Sequence, residues 1–479
     1  MKAVAAQLAG ARWVRVALWL LLTCGGWVLS QAVPPMQSPD ENHHIARAYL
    51  LGHGVWGLAA PPGKMSGGEV DAGLTAYIRQ NMLMAGKPDF RFSAEEQAQL
   101  RQLTWQHDTA RPYFEMPGTA YYLPLIYVPH ALALRLSEAL GLRIHTSYQV
   151  TRFTVLGATL ALMMWACALL RPGMAVLGFV LLPMTLFQLV LPTLDGITTA
   201  LAMVTVALFA RLLQSSQSSN AQSDSCWSPV LLGFCLLLVI TTRMHLLPLA
   251  AMFFMLAWRC RRWSYAVWGM AVFLIAAVWL AVAVGSTVDT RIPRHHTTTE
   301  LLKTYVLAPF DFLNLLLNSW LNTDLRHFYG RSFIGILGWL DAPLPGAFYA
   351  WIGWGLAFCV MGGVCLRDAA SDWAFRATTL AIAIASFVLV FFALLITWTP
   401  HPAQVIAGVQ GRYFIVPAIL VGYALHGSGF MRPISSNLPD TRSKTVSKYG
   451  TSLRRLFLVA FAMMCMTALL SCLHTRYAL

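Results

Sequence analysis

The sequence predicts an all-α polytopic membrane protein, and three observations support that prediction. The chain has 479 residues, of which 57% are hydrophobic and only 11% are charged. Its mean hydropathy is +0.59, whereas soluble chains are nearer half apolar and a quarter charged. Apolar runs long enough to cross a bilayer recur from residue 13 to residue 473, a pattern typical of helical proteins that cross a membrane several times.

We expect about eleven transmembrane helices. The first apolar run is long for the core of a signal peptide and many others follow it, so an uncleaved first span is expected. The predicted spans cover residues 13–33, 149–170, 173–191, 195–213, 228–242, 244–258, 264–286, 346–366, 376–398, 410–427 and 455–473. In domain terms, a membrane module over residues 1–345 is followed by C-terminal transmembrane helices over 346–479.

The basic residues predict the orientation of these spans. They concentrate in short loops such as RCRRW (259–263), in the basic stretch 442–455 and near the N-terminus, which is the pattern of cytoplasmic loops. These basic stretches all fall on the cytoplasmic side if the N-terminus is cytoplasmic and residues 121–140 form a juxtamembrane helix along the membrane surface. The same distribution accounts for the net charge of +14 and argues against nucleic acid as a partner. The nine cysteines show no CxxC spacing, so no disulfide or metal framework is expected.

This orientation places two large loops and two short turns on the outer side of the membrane. The loops are residues 34–148 and 287–345, and the turns are PTLDG (192–196) and TTRMH (241–245). Polar residues that lie far apart in the sequence are therefore expected on one face of the membrane.

The stretch SPDENHH (38–44) combines a helix start with candidate chemistry. Ser38 suits the N-cap, Pro39 the first helical position, and Glu41 would complete a capping box, whereas none of these roles requires Asp40. At helical spacing, Asp40, His44 and Arg47 share one face of a predicted amphipathic helix at the outer surface. That grouping suits proton transfer and phosphate or metal contact. A solvated helix face would give the same pattern.

Three further ionisable residues lie at predicted outer ends of spans. Asp195 lies in the turn LPTLDG at the mouth of a span, and ionisable residues at membrane depth are often functional; the alternative is a helix cap. Arg243 and His245 interrupt the apolar stretch 228–258. They would suit a relay in a transporter, phosphate binding in a lipid-phosphate enzyme, or a simple interfacial anchor.

The second outer loop and the next outer span end add three candidates. The basic stretch DTRIPRHH (289–296), with Arg294, would attract an anionic headgroup, while its paired histidines lack the i, i+4 spacing of a helical zinc site. Asp341 lies in the Pro-rich turn GILGWLDAPLP (335–345), where it could be only a turn residue. Arg412, in GVQGRYFIVP (408–417), would either snorkel or contact phosphate.

Four of these stretches together resemble a bacterial family of predicted membrane proteins called domain of unknown function 2142. They are PDENHHIARAYLLGHG (39–54), LPMTLFQLVLPTLDG (182–196), GILGWLDAPLP (335–345) and GVQGRYFIVP (408–417). That family in turn is similar to the GT-C glycosyltransferases, which use polyprenyl-phosphate sugars outside the membrane. The resemblance implies a GT-C-like fold with juxtamembrane helices in a large first outer loop.

The resemblance also implies roles for individual residues. Asp40, with Glu41 beside it, matches the acid of the first outer loop, and Asp195 matches a second acid after the third span. These two would be the catalytic residues and the ligands of a divalent metal, Mg²⁺ or Mn²⁺, if one is used. The expected substrate contacts are Glu41, His44, Arg47, Arg243, His245, Arg294, Asp341 and Arg412.

Two departures from the expected pattern are visible. Where many lipid-A-type relatives have Glu-Lys-Pro-Pro, this chain has FEMPGTAYYLP (114–124), with Met116 in place of the phosphate-binding lysine. The PTLDG turn also lacks the serine usual shortly before the acid. Phosphate binding would therefore fall to Arg243, Arg412 or the basic stretch of the second outer loop.

The function expected from this resemblance is an inverting glycosyltransferase of the bacterial inner membrane. It would move a sugar from a polyprenyl-phosphate donor to an envelope glycan or lipid acceptor on the outer face. Two alternatives remain open: a transporter or flippase for lipid-linked glycans, and a non-catalytic assembly partner of envelope polysaccharide machinery. No internal repeat is visible, and polar residues within spans are scarce apart from Arg243 and His245, which gives the transporter less support.

Overall fold

The computed structural model of the protein describes residues 19–20, 22–215, 227–292, 296–365, 372–428 and 441–477, with the backbone alone over 441–451. This part of the chain is mostly helical. Its helices are α1 (residues 22–32), α2 (Glu41–Gly52), α3 (Ala72–Asn81), α4 (Ala94–Gln102), α5 (Val128–Ala139), α6 (Ile144–Leu169), α7 (Met174–Val180), α8 (Pro183–Leu189), α9 (Leu194–Ser215), α10 (Trp227–Thr242), α11 (Ala251–Cys260), α12 (Trp263–Ser286), α13 (Thr298–Leu307), α14 (Pro309–Leu321), α15 (Thr323–Gly335), α16 (Gly346–Gly363), α17 (Trp373–Thr397), α18 (Ile415–His426) and α19 (Thr441–Tyr477).

Two short antiparallel strand pairs lie in the outer loops. In the first, β1 (Gly67–Glu69) pairs with β2 (Tyr113–Glu115), so that Gly68 lies opposite Phe114. In the second, β3 (Ile336–Leu337) pairs with β4 (Ala342–Pro343) around the tight turn that carries Asp341. The first pair joins distant parts of the first loop, and the second is a hairpin in the second loop.

Six of the described helices are long and apolar enough to cross a membrane: α6, α9, α12, α16, α17 and the segment Ser452–Tyr477 of α19. α9 is central, because nearly all of its apolar stretch is buried against other helices. Its alanines and threonines allow close packing, and Thr205 satisfies its own hydroxyl by donating to the Leu201 carbonyl oxygen at 2.8 Å. α12 instead exposes Val267 and Val278 on its outer face, where lipid would cover them. The protein is therefore a multi-pass membrane protein.

The other predicted spans take shorter forms in the structure. Residues 173–191 form two seven-residue helices, α7 and α8, because Pro183 cannot continue the preceding turn. The stretch 228–258 is broken at Arg243, whose backbone is extended, and a 3₁₀ helix with Pro248 follows it. Residues 410–427 begin with a 3₁₀ turn and continue as the twelve-residue α18. The count of eleven membrane-crossing helices thus stays a prediction.

The start of α2 differs from the sequence prediction in two ways. The helix begins at Glu41, and the preceding residue, Asp40, has a left-handed backbone with φ of 66°, so Ser38 and Pro39 belong to a turn. Half of the expected capping box is present, since the Glu41 carboxylate accepts from the Ser38 backbone N–H at 3.1 Å. The prediction of an amphipathic surface helix was wrong, because nine of the twelve residues of α2 are buried under the rest of the first outer loop and α5.

Residues 121–140, predicted to be a juxtamembrane helix, form a 3₁₀ turn followed by the amphipathic α5. Its inner face, which includes Leu134 and Glu138, is buried. Its outer face exposes a continuous apolar stripe: Val128, Leu132, Leu136 and Leu140. An exposed stripe at four-residue spacing is what a helix lying along lipid requires.

The C-terminal helix is fastened to both outer loops by one arginine. Arg476 in the last turn of α19 donates to Asp341 Oδ2 at 2.7 Å, and also to the carbonyl oxygens of Met84 and Lys87 at 2.9 and 3.1 Å. The main hydrophobic core runs from Leu29 to Tyr477. The first outer loop is therefore held firmly over the helices that carry the candidate site.

Candidate functional site

Four of the predicted residues meet where the first outer loop covers the helical core. Arg412 lies between the two acids, with its Nη2 at 3.7 Å from Asp40 Oδ2 and its Nη1 at 3.6 Å from Asp195 Oδ2. Arg243 forms a close ion pair with the other oxygen of Asp195. Both contacts of Arg412 start from one planar guanidinium, so the two carboxylates lie within about 10 Å of each other. One substrate could touch both.

Each of these side chains lies at the start of a helix or at a break between helices. Asp195 lies in the first turn of α9, and Arg243 in the extended break after α10. Arg412 lies in the 3₁₀ turn before α18, which is held in place because the Gly411 N–H donates to Ser332 Oγ at 2.8 Å. Asp40 occupies the left-handed position before α2, which Asp and Asn tolerate better than most residues do.

Arg412 has more hydrogen-bond capacity than the protein uses. Its side chain is only 8% exposed, yet it donates one hydrogen bond, from Nη2 to the Tyr413 hydroxyl at 3.3 Å. Its Nε has no partner among the described residues, and its two ion pairs are longer than hydrogen bonds. Buried donors are normally satisfied, so the unused N–H groups of Arg412 are suited to receive an anion.

Asp40 is the more accessible of the two acids. Its side chain is 44% exposed, against 11% for Asp195. Burial of its surroundings raises the pKa of the Asp40 carboxyl, but the nearby Arg412 guanidinium outweighs this and keeps the pKa below its usual value. Asp40 is therefore ionised at neutral pH, and its accessible carboxylate can accept a proton from an approaching group.

His44 lines the site as a neutral group. Burial lowers the pKa of His44 to about 3, although the Asp40 charge opposes the shift. Its Nδ1 lies 2.7 Å from the Tyr127 hydroxyl, and its ring stacks at 6.1 Å on that of Tyr122. This fixed, uncharged imidazole orients neighbouring groups but carries no charge of its own.

Aromatic rings enclose the two arginines. The Arg243 guanidinium lies 5.8 Å from the Tyr122 ring and 5.9 Å from the Tyr413 ring, and that of Arg412 lies 5.1 Å from the Tyr413 ring. Cation–π contacts of this kind favour the charged form and hold the guanidinium planes in place. His245 lies at 6.4 Å from Tyr413 between ring centroids and lines the same cavity as the two arginines.

The cavity between these groups is small. It measures about 20 Å³, which is enough for roughly one water molecule. Gln188 closes one side and donates from Nε2 to Asp195 Oδ2 at 3.3 Å. A ligand larger than water would have to displace a side chain, and the long ion pairs of Arg412 are the weakest contacts at the site.

Two predicted substrate contacts have structural partners instead. Glu41 is fully buried and accepts from the Tyr148 hydroxyl and the Ser38 backbone. Arg47 donates to the carbonyl oxygens of Val55 and Trp56. These contacts hold the outer loop together.

The remaining two predicted contacts do not join the cluster either. Asp341 is paired with Arg476 and accepts from the Trp339 backbone at 2.9 Å. Arg294 lies outside the described residues. A substrate role for either residue stays a prediction.

Sequence reasoning missed several members of the site. Arg291 contributes to the electrostatic environment of Asp40 and forms a two-point ion pair with Asp289, at 2.9 and 2.7 Å; it lies in the same basic stretch from which Arg294 had been selected. Tyr413 adjoins Arg412 in the GVQGRYF string, and Gln188 lies in the LPMTLFQ string. Nothing in a single sequence distinguishes these polar residues from their neighbours, because their role depends on what packs against them.

The two acids do not fit a shared divalent cation as they stand. The Arg412 guanidinium occupies the space between them, and a positive charge there opposes a second cation. Within the described ranges, no cluster of three or more His, Cys, Asp or Glu side chains is placed to hold a metal ion. The use of Mg²⁺ or Mn²⁺ stays a prediction, and no step below depends on it.

Comparison with known proteins identifies the family. The model of a family described as predicted membrane protein (DUF2142) matches residues 21–421, and the chain therefore belongs to that family. No curated protein shows a significant match to the chain. The matched region contains every member of the cluster just described.

Proposed function

We propose that this DUF2142 protein is a GT-C-like inverting glycosyltransferase of the bacterial inner membrane. Its donor would be a polyprenyl-phosphate sugar, and its acceptor an envelope glycan or lipid on the outer face. The observation that supports the proposal best is the buried, under-used guanidinium of Arg412 beside an accessible, ionised Asp40. Such a pair offers an anion site and a proton acceptor within reach of one substrate.

In this proposal the two arginines bind the donor phosphate. Arg243 and Arg412 carry planar groups with several N–H donors, which match phosphate oxygens. Asp195 pairs with both guanidinium groups, so its role is to hold them in position and limit their repulsion. The exposed apolar stripe of α5 would guide the lipid tail of the donor along the membrane surface.

Donor binding would also activate the base. A phosphate that takes the free donors of Arg412 weakens its 3.7 Å contact with Asp40. The pKa of Asp40 would then rise towards and above its usual value, because a nearby negative charge disfavours the carboxylate. A higher pKa makes Asp40 a better proton acceptor at neutral pH.

The transfer itself is a single displacement. Asp40 takes the proton from an acceptor hydroxyl as that oxygen bonds to the anomeric carbon from the side opposite the phosphate. The bond from the anomeric carbon to the phosphate oxygen breaks, and polyprenyl phosphate leaves with the electron pair. The two arginines stabilise the charge that develops on this leaving group.

The test is transfer of radiolabelled sugar from a polyprenyl-phosphate donor to envelope material by the purified protein in nanodiscs. Asp40→Asn removes the charge, and Asn still tolerates the left-handed backbone, so the fold should be kept. We expect a loss of transfer of at least about 100-fold. Asp108→Asn is the matched control, since Asp108 is an exposed aspartate of the same outer loop. Unchanged transfer by a stably inserted Asp40→Asn protein would remove Asp40 from the mechanism.

A second measurement separates the enzyme from the flippase alternative. The wild-type protein is reconstituted in vesicles that carry a fluorescent lipid-linked sugar, and the movement of that lipid between leaflets is followed without acceptor. We expect no leaflet exchange in these vesicles, and glycosyl transfer once an acceptor is added. Rapid exchange without transfer would favour the transporter.

A further inference from the structure

A second, larger cavity lies in the first outer loop, next to the start of α2 but separate from the arginine cluster. Its volume is about 500 Å³, within the range of small-molecule sites. Its polar lining is Asn42, Lys64, Arg79, Tyr113 and Glu115, with apolar walls that include Phe114. We propose that this outer-loop cavity binds an anionic polyol, that is, a hydroxyl-rich ligand carrying a phosphate or carboxylate group.

Two free cations give the cavity its preference for an anion. Lys64 and Arg79 are exposed, and neither lies within 4.0 Å of a carboxylate in the described part of the chain. Lys64 Nζ lies 4.7 Å from the centre of the Tyr113 ring, which fixes the ammonium at the cavity wall. The one acid of the lining, Glu115, is already engaged, because its Oε1 accepts from the Met65 N–H at 3.0 Å.

The lining also suits hydroxyl groups. Asn42 is 9% exposed, and its amide oxygen has no hydrogen-bond partner among the described residues. An unsatisfied buried amide is costly unless a ligand or water completes it. An amide and a carboxylate together both donate to and accept from hydroxyls. The Tyr113 hydroxyl, shared by the Ala59 and Met65 carbonyl oxygens, holds the wall in place.

The position of the cavity links it to the candidate site. Asn42 follows Asp40 by two residues, and the ring of the next residue, His43, meets the Phe114 ring edge-on at 6.3 Å between centroids and lies within the electrostatic reach of Asp40. A ligand in the cavity could therefore extend past His43 towards the exposed carboxylate. If the proposed transfer is right, this ligand is the acceptor. The identification of the ligand as the acceptor rests on the proposed function, whereas the proposal that the cavity binds an anionic polyol does not.

The test measures binding by the full-length protein without any donor. Glucose 6-phosphate is the soluble probe and glucose is its neutral counterpart, and both are titrated by calorimetry. We expect glucose 6-phosphate to bind, and the Lys64→Gln/Arg79→Gln double variant to bind it at least about tenfold more weakly, as expected when charge-assisted contacts are lost. Lys87→Gln is the control, because Lys87 lies over the Phe90 ring at 5.9 Å outside the cavity.

A second arm identifies the source of the polyol. Nanodiscs of phosphatidylglycerol are compared with nanodiscs of phosphatidylcholine, and lipid retained by the protein is quantified. Phosphatidylglycerol retention that the double variant loses would support the proposal and assign the ligand as a lipid headgroup. The proposal would be overturned if glucose 6-phosphate and glucose bound equally well to the wild type and to the double variant. It would also be overturned if neither of the two sugars bound. If Asp40→Asn loses transfer but still binds the ligand, the transfer proposal and the binding proposal are each supported by a separate measurement.

Discussion

Glu41 and Asp40 are adjacent acids, yet the structure predicts opposite consequences when each is changed. Glu41→Ala removes a buried carboxylate that accepts from Tyr148 and Ser38 and lies 3.8 Å from Arg152 Nη2. The variant therefore perturbs the anchoring of the outer loop, whereas Asp40→Asn perturbs the proposed chemistry.

The magnitude follows from the burial of Arg152. Its side chain is 0% exposed, and Glu41 is the one carboxylate within 4.0 Å of it among the described residues. Leaving a buried charge without its partner costs about 3–5 kcal/mol. Glu41→Gln removes the same charge but should cost less than Glu41→Ala, because the amide oxygen can still accept from the Ser38 N–H and the amide NH2 can donate to the Tyr148 hydroxyl oxygen. Burial raises the pKa of Glu41, which reduces the cost of replacing its carboxylate with a neutral amide.

The assay is equilibrium unfolding in mixed detergent micelles, together with transfer activity per folded molecule. We expect stability to fall in the order wild type, Glu41→Gln, Glu41→Ala, with near-normal activity in the folded fraction of each. Glu95→Ala, at an exposed acid of α4, should match wild type. A Glu41→Ala protein that is as stable as wild type but inactive would refute the reasoning and place Glu41 in the chemistry.

Two further outcomes test the positioning of Arg412. Gly411→Ala should abolish transfer, because the added Cβ would lie 2.0 Å from the Phe333 backbone nitrogen and displace the turn that carries Arg412, while Gly330→Ala, with open space around it, should be silent in the same assay. Arg412→Gln should move the acid limb of the pH–rate profile to higher pH, because the cation keeps the Asp40 pKa below its usual value and activity is lost as pH falls through that pKa. An unmoved limb would contradict the pairing.

Much of the candidate site could be predicted because its residues are individually costly in an apolar chain. Asp195 and Arg243 stand out at span ends, and the charge bias of the loops placed them on the same outer side as Asp40. The contacts within the cluster were harder to predict from the sequence. The aromatic walls, Tyr122 and Tyr413, carry no signal of their own, since a tyrosine near a membrane surface is common.

The error in the prediction for α2 concerned burial. α2 was expected to lie on the surface because polar residues occupy one of its faces, but those residues are buried by partners that come from distant segments. Arg47 donates to backbone carbonyl oxygens eight and nine residues away, a contact that depends on how the chain turns after α2. Helical spacing shows which residues share a face and does not show what covers that face.

The sequence by itself determined that the chain is a multi-pass helical membrane protein and which of its charged residues are costly to place near the membrane. These are local properties, since hydropathy and the energetic cost of burying a charge can be read from a short stretch. Only the tertiary structure decided that Arg412 stands between Asp40 and Asp195, and that Glu41 turns inward to Arg152. A buried charge must find a partner, but which partner it finds depends on the packing of helices far apart in the chain.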